Sequence, residues 1–167
     1  SNVLRLSGIS AADAGSYRVL VKNPVDVNGV LSNPAELRVS VPATIVKEPD
    51  DIKILQHGTV KLAIQAVGDG FITYQWRRNG WELEGRTTSE LSATNVSVFD
   101  SASYDVVVVN YLDAAKTIEI GRTASRKIAV QVIEPVKVLA VPSNQMVQVG
   151  QPASFRVVGA GTGPLQY

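Results

Sequence analysis

Hydrophobic and polar positions alternate along most of this chain with a period of two. Val60-x-Leu62-x-Ile64 and Ile128-x-Val130-x-Val132 each carry three apolar residues on one face, as a strand with one buried side requires. No stretch of ten or more residues has apolar positions at helical spacing. The pattern predicts strands near 44–47, 52–56, 59–66, 72–78, 81–84, 89–93, 103–110 and 126–133. Short strands in that number predict an all-β sandwich. Between Tyr74-Gln75-Trp76 and Trp81-Glu82-Leu83, the pair Asn79-Gly80 predicts a two-residue hairpin, because both residues tolerate positive φ.

The alternation also repeats over longer distances. Ile9-Ser10-Ala11-Ala12-Asp13-Ala14-Gly15-Ser16-Tyr17-Arg18-Val19 returns as Val96-Ser97-Val98-Phe99-Asp100-Ser101-Ala102-Ser103-Tyr104-Asp105-Val106, a spacing of 87 residues. At a spacing of 93, Val60-x-Leu62-x-Ile64 matches Ala153-x-Phe155-x-Val157, and Gly68-x-Gly70 matches Gly161-x-Gly163. Tyr74 matches Tyr167 at that spacing, as do Pro42 and Pro135, Ile45 and Val138, Pro49 and Pro142, and Ile54 and Val147. Leu37-x-Val39-x-Val41 reads as a closing strand like 128–132. A repeat of this length is one small β-domain. The expected division is 1–41 as the last strands of a first unit, 42–134 as a complete unit, and 135–167 as the opening strands of a third. The two end pieces together cover one unit except the equivalents of 75–87, so the expectation is that a longer polypeptide or a neighbouring chain completes them.

Within that frame, Gly58-x-Val60-x-Leu62-x-Ile64, Tyr74-x-Trp76-x-x-x-Gly80 and Asp100-x-Ala102-x-Tyr104-x-Val106 resemble strands B, C and F of the immunoglobulin-like fold. The resemblance is to tandem bacterial Ig-like repeats and to the I-set-like domains of modular proteins. It covers nearly the whole chain and implies tandem Ig-like β-sandwiches, one complete and two partial. It further implies that Trp76 packs between the sheets across Ile64 and Val106. Those two residues stand where many family members carry the inter-sheet cysteines, as do Val19 and Val157 in the partial units. Tyr104 with Asp100, and Tyr17 with Asp13, match the E–F corner, where the tyrosine hydroxyl bonds nearby backbone. Ala102 departs from the glycine the family prefers, whereas Gly15 keeps it.

Charge narrows the choice of partner. Sixteen basic and fifteen acidic residues leave a net charge of +1 with no basic run, so no phosphate footprint is present and nucleic acid is not an expected partner. The chain has no cysteine, which removes disulfides and thiolate metal sites. It has no apolar run long enough to span a membrane and no basic start followed by an apolar segment, so neither a span nor a signal peptide is expected within these residues.

Candidate chemistry is sparse. His57 is the sole histidine, beside Gly58, and a solvated turn accounts for it better than a metal site or a catalytic triad. Glu48, Asp50 and Asp51 cluster where oxygen ligands for calcium could gather, although no spaced Asp-x-Asp-x-Asp loop accompanies them and surface charge is the simpler reading. Asn95-Val96-Ser97 matches a glycosylation sequon. A lysine–asparagine crosslink is a further alternative, with Lys61 and Lys127 as its amines. Trp81 follows the predicted hairpin turn and is a candidate contact residue with Arg77, Arg78 and Arg86, against the simpler reading that it packs on its own hairpin. The segment from Tyr111 to Thr123 carries four residues more than its counterpart, as either a binding loop or a longer hairpin.

No catalytic set, metal site or cofactor site is expected. Junctions at Val41-Pro42 and between Val132 and Pro135 lack a Gly/Ser spacer, which predicts semi-rigid connections. The expected function is a non-enzymatic structural or adhesive segment of an extracellular or cell-surface tandem Ig-like protein, a spacer or surface-contact rod. Its expected partners are neighbouring Ig-like domains in cis or in trans, a cell-surface protein or a polysaccharide. Two alternatives are a filament subunit whose half-domains neighbouring chains complete, and a carbohydrate-binding accessory module of a secreted enzyme.

Overall fold

The computed structural model describes residues 2–167. Its strands run, in chain order, β1 (Gly15–Tyr17), β2 (Leu20–Val21), β3 (Val30–Leu31), β4 (Ala35–Leu37), β5 (Thr44–Lys47), β6 (Ile52–Leu55), β7 (Thr59–Ala63) and β8 (Gln65–Val67). They continue as β9 (Phe71–Arg78), β10 (Trp81–Glu82), β11 (Glu90–Thr94), β12 (Ala102–Tyr111), β13 (Glu119–Ala124), β14 (Ile128–Ile133), β15 (Lys137–Ala140) and β16 (Val158–Ala160). Short 3-10 turns at Ala11–Asp13 and Val98–Asp100 precede β1 and β12.

One sheet has the order β10-β9-β12-β14-β6, with β13 also paired to β12. All its pairs are antiparallel except β14 with β6. Facing it are the antiparallel pairs β7 with β11 and β5 with β8. The chain therefore changes sheet between β5 and β6, at the bend Glu48-Pro49-Asp50-Asp51, where a proline forfeits no ladder hydrogen bond.

Period-two alternation becomes burial in each central strand. Val60 and Leu62 of β7, Trp76 of β9, Tyr104, Val106 and Val108 of β12, and Ile128, Val130 and Val132 of β14 form one buried cluster with Ile64, Leu91 and Val96. Trp76 is fully buried, and its Nε1–H donates to the Thr88 carbonyl at 2.9 Å. Ile64 and Val106 lie in the same cluster, so apolar packing occupies the space a disulfide would bridge. The Asn79-Gly80 turn has φ of 52° and 88°, and Trp81 pairs with Arg78 directly across it, as a type I′ hairpin demands.

Several elements differ from the sequence pattern. The run 59–66 is two strands, because the chain leaves one partner for another: β7 pairs with β11 and β8 with β5. The strand expected at 126–133 begins only at Ile128, and 119–124 forms its own strand, so the long Tyr111–Thr123 segment is an extended hairpin. Its tip is held by Asp113, which accepts from the Thr117 hydroxyl at 2.6 Å.

The largest departures lie outside 43–132. No described residue before Ala43 or after Val132 is buried. Ala153-x-Phe155-x-Val157 forms no strand; its counterpart β7 is built by pairing with β11, and among the described residues no strand pairs with 153–157. Likewise the strand expected over 37–41 stops at Leu37.

Candidate functional site

The repeated corner motif folds the same way twice. Asp100 Oδ2 accepts from the Ser97 N–H at 2.8 Å and from the Ser97 hydroxyl at 3.0 Å. Asp13 Oδ2 does the same with Ser10, at 2.8 and 2.9 Å. The Tyr104 hydroxyl donates to the Asp100 carbonyl at 3.0 Å, and that of Tyr17 to the Asp13 carbonyl at 2.7 Å. Tyr104 is buried while Tyr17 and Asp13 are half-buried. These groups are consumed in fixing a turn and present no reactive atom.

A second recurring feature lies at the two proline junctions. The Asp69 N–H donates to the Val41 carbonyl at 3.0 Å, and the Asp69 carboxylate accepts from the Val41 N–H at 2.8 Å. Ninety-three residues on, the Thr162 N–H donates to the Glu134 carbonyl at 3.0 Å, and the Thr162 hydroxyl accepts from the Glu134 N–H at 2.8 Å. A side-chain oxygen at the middle of each Gly-x-Gly thus clamps the residue before the proline. The first junction has a further anchor in the fully buried Asn110. Its amide donates to the Val41 carbonyl at 2.9 Å and the Asp69 carbonyl at 2.8 Å, and its Oδ1 accepts from the Ala43 N–H at 2.9 Å. Gly121 supports this close approach, since a Cβ there would stand 2.5 Å from Pro42 Cβ.

Asn110 and Asp69 were not candidates from the sequence. The signals were present: Asn23 precedes Asn110 by the same 87 residues that separate the tyrosines, and Asp69 and Thr162 fill the same place in the two Gly-x-Gly motifs. Neither residue type announces a buried clamp without the fold.

The contact candidates do not form one surface. Trp81 is 81 % exposed, and Arg78, beside it across the hairpin, donates to the Phe99 carbonyl. Arg77 is committed elsewhere, to the buried Asp105, through Nη2 and through Nε at 3.1 Å. Tyr111 pairs with Phe71, whereas Tyr104 pairs with Arg78, which separates Tyr111 from the Trp81 end by roughly 23 Å of strand. Trp81 with Arg78 and Tyr111 therefore occupy opposite ends of the sandwich.

The remaining clusters have local explanations. Asp51 pairs with Arg126 at 2.8 Å, Glu48 accepts from the Arg126 N–H at 3.0 Å, and the same guanidinium donates to the Pro49 carbonyl at 2.7 Å. That arginine staples the bend between β5 and β6 to the start of β14. Among the described residues no group of three or more His, Cys, Asp or Glu side chains is placed to hold a metal ion. His57 is exposed at φ 66°, and its Nδ1 lies 2.8 Å from Asn95 Oδ1 of the sequon. Lys127 Nζ lies 3.1 Å from the Asp105 carboxylate and is bonded to no asparagine.

Between Ala43 and Val132 four carboxylates titrate below their ordinary range, Glu119 among them through the Arg122 guanidinium. The Ser97 N–H and hydroxyl lower Asp100, the Arg126 guanidinium lowers Asp51, and the Thr117 hydroxyl lowers Asp113. A carboxylate with a depressed folded-state pKa contributes stability that is present above its unfolded value and is lost as pH falls through the folded one. Thermal midpoints should therefore hold above about pH 5 and decline below about pH 4. Asp100→Asn should lower the midpoint at neutral pH and shrink the acid-dependent drop. A parallel downward shift at every pH would show that Asp100 titrates no differently when folded.

No family model matches the chain. It is 33% identical over 110 residues to human SPEG neighbor protein, a match covering 60% of this chain and 45% of that protein. The chain thus spans less than half the length of that curated relative. Among solved structures, the three-Ig titin fragment I67–I69 superposes with a TM-score of 0.71 at 20% identity, over 93% of this chain and 54% of the fragment. Extracellular domains 3–5 of Drosophila OTK superpose with a TM-score of 0.55 at 24% identity, over 74% of this chain and 41% of theirs. Strand order, repeated corner and superposition agree: the chain is an all-β protein of tandem immunoglobulin-like β-sandwiches.

Proposed function

We propose that this chain is a non-enzymatic spacer and contact segment of a modular extracellular or cell-surface protein, divided as 1–41, 42–134 and 135–167 into consecutive I-set-like units. The observation that carries this reading is the junction clamp, present at Val41–Asp69 and again at Glu134–Thr162. A flexible tether needs no such clamp. A segment that sets distance or orientation does, because every hydrogen bond at the junction removes freedom from the link.

The OTK domains that superpose on this chain are extracellular, which supports the location. Partners in this reading are other Ig-like units, in cis or in trans. Val138, Leu139, Val141 and Phe155 each remain more than half exposed, and apolar faces of that kind are ordinarily covered by an opposing sheet.

Backbone 15N relaxation on the chain tests the rigid junction. Order parameters at Val41, Ala43, Glu134 and Val136, the residues flanking the two prolines, should match the strands of the central sheet, at about 0.85. Values below about 0.6 at either junction would make it a flexible tether and overturn the spacer reading.

A further inference from the structure

The sandwich is open along one side. Strand β11 pairs with β7 and with nothing else, so alternate N–H and C=O groups along Glu90–Thr94 have no strand partner on the outer side. Of its five residues only Glu90 is charged, and none is lysine or proline, the usual protections of an edge. Beside this edge lies a cavity of about 160 Å³. Val60, Leu83, Leu91 and Val96 line it, and Arg78 and Arg86 supply cationic groups. Ser92 and Ala93 of β11 also face it, so edge and cavity are one feature.

The charges are not equally available. Arg78 is held by the Phe99 carbonyl. The Asp100 carboxylate, also at the cavity, is occupied by Ser97. The Arg86 side chain is exposed and has no hydrogen-bond or ion-pair partner among the described residues. The vacant valences are therefore a strand edge on which the Glu90 carbonyl is already taken by the Thr88 hydroxyl at 2.7 Å, an apolar hole the size of one aliphatic side chain, and a free guanidinium.

We infer that this edge takes an extended acidic peptide segment of a partner protein, which adds as a strand along β11, seats an aliphatic side chain in the cavity and places a carboxylate on Arg86. Main-chain bonding supplies affinity in such a mode, while the pocket and the charge select the sequence. This goes beyond the spacer reading and does not depend on it, since junction order is measured separately from peptide binding.

The test is a 1H–15N titration of the chain with acetyl-Glu-Leu-Glu-Leu-Glu-amide, and in parallel with acetyl-Lys-Leu-Lys-Leu-Lys-amide. The acidic peptide should give saturable shifts confined to β11, Val60, Leu83, Arg86 and Val96. Arg86→Glu, an exposed substitution that leaves the native spectrum in place, should weaken it roughly tenfold or more. The lysine peptide should bind more weakly to the parent and gain on the variant. No saturable shift up to about 5 mM, equal binding of both peptides, or shifts at the Tyr111 end would each overturn the proposal.

Discussion

Trp76→Ala should lower the stability of the central sandwich by about 3–5 kcal/mol, the usual cost of emptying a buried tryptophan site. The side chain is fully enclosed and shares the cluster with Ile64, Val106 and Leu62. No disulfide holds the sheets together here, so packing around the indole carries the contact between them. Truncation also strips the Thr88 carbonyl of its donor, at a further cost on the order of 1 kcal/mol if water does not replace it. Against a typical domain stability of roughly 5–15 kcal/mol, such losses approach unfolding. Urea transitions followed by far-UV circular dichroism should show the midpoint fall sharply with the slope little changed. Trp76→Phe, which refills most of the volume without the N–H, should lie between. A midpoint for Trp76→Ala equal to that of the parent chain would mean that the sheets are held by other contacts.

The parts of the fold that were legible in the sequence are those where one strand's pattern decides the outcome. Val60-x-Leu62 and Ile128-x-Val130-x-Val132 bury every second residue because both faces of each strand meet fixed environments. The Asn79-Gly80 turn needs only its own two residues to adopt positive φ. The corner was legible because Asp100 and Tyr104 act within four residues of each other.

What the pattern left open depends on partners distant in the chain. Ala153-x-Phe155-x-Val157 has the same alternation as β7 but pairs with no strand among the described residues, and alternation without a partner does not make a strand. The separation of Tyr111 from Trp81 follows from register in β9 and β12, which composition does not encode. In the sequence Asn110 is one more polar residue at the end of a valine run. Its part is set by Val41 and Asp69, which lie 69 and 41 residues away. The open edge of β11 likewise emerged only once each strand had been given its neighbours.

Asn110→Ala should be the second most damaging substitution, at about 2–4 kcal/mol, because it leaves the buried Ala43 N–H and the Asp69 carbonyl without partners and takes one of two donors from the Val41 carbonyl. The Ala43 N–H is the group most exposed to this loss. Ala43 is 4% exposed, and its amide bonds to Asn110 Oδ1. Denaturation alone would not distinguish a weakened junction from a weakened core, so the decisive reading is hydrogen exchange. The Ala43 amide should exchange roughly a hundredfold faster in Asn110→Ala, while Val106 and Val130 in the sheet change only as far as global stability falls. Asn110→Asp separates the two halves of the amide, since it keeps the acceptor for Ala43 and deletes both donors. At neutral pH it should be at least as destabilising as alanine, because a carboxylate then faces the Val41 and Asp69 carbonyls. If Ala43 keeps its protection in both variants, the junction is held by the Val41–Asp69 pair alone. The recurrence of that pair as Glu134–Thr162, and not the buried amide, would then be the element that stiffens each link.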